Sequence, residues 1–176
     1  TPKVMGVLNL TPDSFFDGGK FLRKDNSFDE SKIINSIESM IEDGADFIDI
    51  GAQSTKPGFT KISPSEELDR LGLVFDKLND YPVLFSIDTF NYEVIKEAIN
   101  KKIDLINNVF SFSDQESFKL VCRNDIPICV CHQGNPDNKE DIFSQINLFF
   151  SNVEEKFEKE KFNTCLLYTS PSPRDD

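Results

Sequence analysis

The chain has 176 residues, enough for one domain with a sizeable hydrophobic core. With 31 acidic and 19 basic residues it carries a net charge of −12, which argues against nucleic acid or an anionic membrane as a partner. No apolar stretch approaches the length of a membrane span, and the N-terminus lacks a signal-peptide pattern. The four cysteines show neither metal-binding nor disulfide spacing. We therefore expect a globular protein of the reducing cytoplasm.

The first predicted element is a buried strand over Val4–Leu8, and a polar loop follows it directly. The loop, Asn9–Gly19, holds one amide, two carboxylates, two hydroxyls and two glycines within eleven residues. A loop that only turned the chain would need no more than the glycines and the proline. Side chains that leave a strand of an α/β protein are positioned yet reachable, so this loop is a candidate site.

Four further strand–helix units are predicted, because short apolar runs alternate with helical periodicities. The predicted strands are Phe47–Ile50, Val83–Ile87, Leu105–Asn107 and Ile126–Val130. The helices are predicted to begin at a capping box of Ser27 and Glu30, at Ser63-Pro64, at Tyr92, at Glu116 and at Ile142. The expected fold class is therefore α/β with about five βα units.

Two architectures fit this order of elements. One is a partial TIM (β/α)₈ barrel, since a closed barrel needs eight units over about 250 residues. The other is an open doubly wound sheet, and periodicity alone does not separate the two. Cys165–Thr169 is compatible with a sixth strand, but the two prolines after it cannot continue one. We predict a domain over residues 1–163 and a non-native or disordered tail over 164–176.

Every predicted strand ends in groups that can form hydrogen bonds. Carboxyl ends of parallel strands meet at one edge, where barrels and open α/β sheets both bind ligands. Turns and caps would explain any one of these ends, but five in succession favour a site. The strand-end groups are Asn9, the segment 51–58, Ser86 with Asp88 and Thr89, Asn107 with Asn108, and His132 with Gln133 and Gly134.

Asp88 and Asn107 are the candidates for binding a heterocycle. Asp88 directly follows a strand, and a sheltered carboxylate needs donors, which a ring with two N–H groups would supply. Asn107 has both a donor and an acceptor, which suits a second edge of such a ring. The alternative is that Asp88 caps the helix that begins near Tyr92, although Asn91 is better placed for that.

Three other residues have candidate roles of different strength. Asn9 could supply an oxygen to a hard cation such as Mg²⁺. Lys56, in a glycine-flanked loop, could offer positive charge to a phosphate, although a surface lysine is the commoner outcome. His132 is the only histidine, and a single histidine at a strand end is more often a hydrogen-bonded core group than a catalyst. We assign His132 no catalytic role.

The chain resembles the dihydropteroate synthase family from Lys3 to about Phe162. The resemblance is carried by the four motifs Asn9–Gly19, Asp49–Gly58, Ser86–Thr89 and Leu105–Asn108, which follow one another in the family's order. It implies a (β/α)₈ barrel of folate biosynthesis that joins 6-hydroxymethyl-7,8-dihydropterin diphosphate to p-aminobenzoate. It also implies release of pyrophosphate, use of Mg²⁺ and a homodimer for the full-length enzyme.

The resemblance also implies roles for individual residues. Asp88 and Asn107 would hold the pterin, and Asn9 would help to bind Mg²⁺ and the diphosphate. The loops that close over the diphosphate and the p-aminobenzoate would contribute Thr55, Lys56, Pro57 and Phe15. No residue is assigned as the catalytic one.

The chain departs from the family in several places. The family usually has an acid where Gln53 stands, arginine at Lys56 and aspartate at Asn108, and the segment 130–134 looks one residue short. The family's later motifs (Asp-Pro-Gly, a lysine and Arg-x-His) are absent, so we expect a fragment that is inactive alone. A pterin-dependent methyltransferase and a non-catalytic pterin-binding module are the alternatives.

Overall fold

Strands and helices alternate along the chain. The structure is a computed structural model that describes residues 2–12, 20–25, 27–54, 60–108, 114–132 and 141–161, together with the backbone of 166–169. In chain order the elements are β1 (Met5–Asn9), α1 (Glu30–Glu42), β2 (Phe47–Gly51), α2 (Pro64–Phe75), a 3₁₀ turn (Leu78–Asp80), β3 (Leu84–Asp88), α3 (Tyr92–Asn100), β4 (Leu105–Asn108), α4 (Gln115–Arg123), β5 (Ile128–Cys131), α5 (Ile142–Lys159) and β6 (Leu166–Thr169). The five predicted βα units are confirmed.

The start of α1 differs from the prediction. Asp29 is the N-cap, and its side chain accepts a hydrogen bond from the backbone N–H of Lys32 at 3.4 Å. The hydroxyl of Ser27 instead donates to Asp25 at 2.7 Å, in the turn before the helix. The predicted capping box of Ser27 and Glu30 is therefore wrong, because Glu30 is the first helical residue and Asp29 precedes it directly.

The order of strands in the sheet decides between the two predicted architectures. The six described strands lie in the order β1-β2-β3-β4-β5-β6, and every pair is parallel. In a doubly wound sheet the spatial order of the strands reverses at a switch point, whereas here the order follows the chain without a reversal. Since each crossover is expected to be right-handed, a sequential order keeps all helices on one side, as in a barrel. The described sheet is a partial (β/α)₈ barrel.

The two faces of the sheet have different environments because successive side chains of a strand alternate between them. The apolar side chains of the helix-side face are buried and form the core with α1 to α5; they are Leu8, Ile48, Ile50, Phe85, Ile87, Ile106, Ile128 and Val130. On the other face, here called the inner face, Met5, Val7 and Leu84 are 39%, 57% and 45% exposed. The hydrophobic core therefore lies between the sheet and the helices. The inner face is exposed to solvent near the amino-terminal ends of β1 and β3.

The sixth strand lies within the segment that the sequence predicted to be a tail. Residues Leu166–Thr169 pair in parallel with Ile128–Cys131, so the backbone there continues the sheet. An added parallel strand satisfies the hydrogen-bonding groups that β5 would otherwise leave free at the edge. The predicted origin of residues 164–176 stays a prediction.

The helices pack through narrow apolar stripes. α3, for example, buries Val94, Ile95 and Ala98 and turns its charged residues outwards. None of the helices in the described part of the chain has both the length and the apolarity that crossing a bilayer requires.

Candidate active site

A row of side chains crosses the inner face at the carboxyl ends of the strands. Asn9 on β1 is in register with Gly51 on β2, which is in register with Asp88 on β3 and then with Asn107 on β4. Residues in register point to the same face of a parallel sheet, so the three polar side chains share one side. The sequence placed these groups at strand ends, and the register brings them together. We call Asn9, Gly51, Asp88 and Asn107 the strand-end row.

Gly51 leaves a gap in the strand-end row. A Cβ atom built on Gly51 would lie 3.3 Å from Oδ1 of Asn9 and 3.8 Å from Oδ2 of Asp88. Both oxygens therefore border the same small space, which any larger residue at position 51 would fill. A ligand or a cation that enters this space meets an amide oxygen on one side and a carboxylate on the other.

Asn107 is oriented by a carboxylate one layer deeper in the sheet. Its Nδ2 donates to Oδ2 of Asp49 at 3.0 Å, although the two residues are 58 positions apart. Asp49 is buried within β2, between isoleucines that face the helices. Asp49 is not among the site residues predicted from the sequence, although an acid inside the apolar run Phe47–Ile50 is a signal that could have indicated it.

One acceptor of the strand-end row lacks a partner within the described structure. Oδ1 of Asp88 is buried and forms no hydrogen bond. A buried polar atom without a partner costs about 1–3 kcal/mol. Such a cost is commonly retained where a ligand supplies the missing donors.

The electrostatics of the strand-end row follow from this burial. Burial, followed by the negative charges of Asp49 and Glu67, raises the pKa of Asp88 from 3.8 to about 8. Burial also raises the pKa of Asp49, and hydrogen bonds with Ser86 and then Asn107 partly oppose the increase. The site therefore concentrates carboxyl groups that would gain from N–H donors or from a cation.

A second polar layer lies behind Asp88. Glu67 of α2 is fully buried and accepts a hydrogen bond from the side chain of Asn91, and burial raises the pKa of Glu67. Asn91 occupies the N-cap position of α3, but its side chain bonds Glu67 and does not cap the helix. The Thr89 N–H donates to the carbonyl of Asn107 at 3.1 Å, which ties the turn after β3 to β4. Asp88 therefore stays available to a ligand and does not cap α3.

The remaining predicted residues divide into two groups. Four of them, Phe15, Thr55, Lys56 and Pro57, lie outside the described residues. His132 is buried directly after β5, and its ring meets that of Phe149 edge to face at 5.3 Å. His132 therefore lies in the packed interior, and its lack of a catalytic role stays a prediction.

The fit of a metal ion depends on the donors that are available. Among the described residues, no three His, Cys, Asp or Glu side chains cluster as metal ligands. The oxygen of Asn9 and the carboxylate of Asp88 nevertheless border the gap at Gly51. Oxygen donors suit a hard cation that keeps several of its waters, so the residues present fit Mg²⁺.

A comparison with known families identifies the class of protein. The family described as "Pterin binding enzyme" matches residues 5–167, which include the whole strand-end row. The chain belongs to the pterin binding enzyme family.

Relatives of the chain include dihydropteroate synthases and folate synthesis proteins. The chain is 38% identical to the dihydropteroate synthase of Clostridium beijerinckii, over 78% of this chain and 49% of that protein. It is 45% identical to the mitochondrial folate synthesis bifunctional protein of Arabidopsis thaliana, over 79% of this chain and 26% of that protein. The chain thus spans between a quarter and a half of the length of these two relatives.

Solved structures agree with the fold. The dihydropteroate synthase of Yersinia pestis, in a sulfonamide drug complex, superposes with a TM-score of 0.84 at 32% identity, over 97% of this chain and 63% of that one. The dihydropteroate synthase of Xanthomonas albilineans with 4-aminobenzoic acid gives a TM-score of 0.81 at 28% identity, over 97% and 61%. The predicted partial barrel is therefore confirmed.

Proposed function

We propose that this chain forms the pterin-binding part of a dihydropteroate synthase, a transferase of folate biosynthesis. The reaction joins 6-hydroxymethyl-7,8-dihydropterin diphosphate to p-aminobenzoate and releases pyrophosphate. One observation carries the proposal: a strand-end row in which the buried carboxyl of Asp88 lacks a donor beside an amide that is already oriented. Family membership and the dihydropteroate synthases among its relatives support the same reaction.

The pterin is the ligand that this row would hold. A flat ring with adjacent N–H donors would bind the Asp88 carboxylate, and such donors favour the charged form of the acid. Asn107, held by Asp49 at 3.0 Å, would meet a second edge of the ring. Ring binding would therefore lower the pKa of Asp88 from its raised value of about 8.

The diphosphate would lie towards β1. Asn9 would contribute an oxygen to Mg²⁺ and would help to place the diphosphate across the gap at Gly51. Bound Mg²⁺ supplies charge stabilisation to the departing pyrophosphate. The loop residues assigned to the diphosphate and p-aminobenzoate are Thr55, Lys56, Pro57 and Phe15, and the Xanthomonas complex with 4-aminobenzoic acid supports the second substrate.

The dihydropteroate synthase reaction requires a closed barrel. The exposed apolar side chains Met5, Val7 and Leu84 lie where a barrel packs layers of interior side chains. We therefore propose that the 176-residue chain binds pterin but does not turn over by itself. We also propose a homodimer for the longer enzyme and a cytoplasmic location.

Titration of 6-hydroxymethyl-7,8-dihydropterin diphosphate into the chain, with and without Mg²⁺, tests this function. We expect binding that Mg²⁺ strengthens, and a roughly 10- to 100-fold loss of affinity in Asp88→Asn, which removes a charge-assisted hydrogen bond. Asp46→Asn is the matched control, because Asp46 precedes β2 at its other end and pairs with Lys3 at 2.6 Å. Unchanged affinity in Asp88→Asn would exclude the proposed pterin site.

A further inference from the structure

The side chain of Gln53 joins two segments of backbone that are separated in sequence. Its Nε2 donates to the carbonyl of Ser54 at 3.1 Å and to that of Thr60 at 3.4 Å. Its Oε1 accepts from the backbone N–H of Ile62 at 2.9 Å. Gln53 is only 5% exposed, so water competes little for these hydrogen bonds. One buried amide thus bridges the end of β2 and the approach to α2.

A primary amide satisfies every group of this bridge, which an ionised acid, the residue type usual in the family, does not. Two carbonyl oxygens need donors and one N–H needs an acceptor, and a glutamine side chain supplies all three from a single planar group. A carboxylate of the same size would still accept from Ile62. It would, however, face the carbonyls of Ser54 and Thr60 with no proton to donate.

The backbone next to Gln53 is itself held by a hydrogen bond from α2. The neighbouring carbonyl of Ala52 accepts from Nη1 of Arg70 at 2.9 Å, and Nη2 of Arg70 bonds Glu66 at 2.7 Å. Arg70 and Glu66 lie on α2, so the end of β2 is attached to that helix. The bridge therefore connects Thr60 and Ile62 to a rigid part of the sheet.

We propose that Gln53 is a positioning residue that sets the backbone at Thr60 and Ile62 against the end of β2. Its value for substrate binding rests on the proposed function, because Thr55, Lys56 and Pro57 lie in sequence between the two bridged segments. Gln53 itself touches no reacting group. It acts on p-aminobenzoate and diphosphate binding only through the backbone that it holds.

Backbone amide exchange in the 176-residue chain tests the bridge without any ligand. In Gln53→Met, which keeps the size but loses every hydrogen bond, the protection of the Ile62 N–H should fall roughly five- to tenfold. Gln115→Met, at the exposed first residue of α4, is the control and should leave Ile62 unchanged. Unaltered protection of Ile62 in Gln53→Met overturns the proposal. If that variant does not fold, slow exchange of the Gln53 side-chain amide in the unmodified chain decides the question instead, and rapid exchange counts against the bridge.

Gln53→Glu tests the hydrogen bonds of residue 53 separately from its packing, because ionisation changes the hydrogen bonds and leaves the size of the side chain unchanged. The protonated acid can donate to one carbonyl and the carboxylate can donate to none, so ionisation should shift the amide resonances of Lys61 and Ile62. We expect one titration at both amides, with the pKa of the new acid raised by burial. A glutamate at position 53 that ionises without moving these resonances would contradict the bridge.

Ligand titrations separate this proposal from the proposed function. If the unmodified chain does not bind the dihydropterin diphosphate, the proposed function fails, and the exchange data still decide the bridge. If the chain binds it, p-aminobenzoate affinity in its presence should fall about tenfold in Gln53→Met. Loss of Ile62 protection with unchanged p-aminobenzoate affinity would overturn the positioning role.

Discussion

Replacing Asp88 with Asn should stabilise the fold while it weakens pterin binding. Asp88 is an acid with a buried oxygen that has no partner in the described structure, and burial, followed by two neighbouring carboxyl groups, raises its pKa. Asparagine keeps the shape of the side chain but cannot ionise. The variant therefore removes the electrostatic cost and also removes the charged acceptor that a pterin ring requires.

The magnitude follows from the pKa of Asp88, which is about 8 in the folded chain against an ordinary 3.8. Between these values the folded state keeps a proton that the unfolded state has lost, so the stability of the chain falls as pH rises. The loss is about 1.4 kcal/mol per pH unit, which amounts to about 3 kcal/mol between pH 5 and pH 7. Asp88→Asn does not have this dependence, so its advantage in stability should grow with pH and level off above pH 8.

Urea unfolding followed by circular dichroism at several pH values measures this difference. Asp46→Asn is the control with the opposite sign, since the hydrogen bond from Lys3, followed by that from the Val4 N–H, lowers the pKa of Asp46. That substitution should reduce stability slightly, by an amount that is constant above about pH 5. If the difference between Asp88→Asn and the unmodified chain does not change between pH 5 and 8, the electrostatic account of this site is refuted.

Two further substitutions test the geometry of the strand-end row. Gly51→Ala should leave the unfolding free energy nearly unchanged. It should lower the affinity for dihydropterin diphosphate at least tenfold in a titration, because the methyl group fills the gap between Asn9 and Asp88. Full affinity would show that no ligand uses the gap. Asn107→Ala should cost about 1–3 kcal/mol in urea unfolding, since it removes a hydrogen-bond donor from the buried Asp49, and a cost near zero would mean that this hydrogen bond is unimportant.

Much of the site could be predicted from the sequence because its signals are local. Asn9, Asp88 and Asn107 each follow an apolar run, and such a run predicts both a strand and the place where it ends. Asp49 was missed because it lies inside a run and was counted with the strand. Its role depends on Asn107, which is 58 residues away.

The sequence by itself determined the alternation of strands and helices and the polar group at each strand end, since both depend on neighbours along the chain. Only the tertiary structure decided that the sheet is a partial barrel, that Gly51 opens a gap between Asn9 and Asp88, and that Gln53 bridges two backbone segments. These features depend on which strands pair and in which register. The hydrophobic pattern sets which face of the sheet a side chain takes, but which distant strand lies beside it is decided by the packing of the whole sheet.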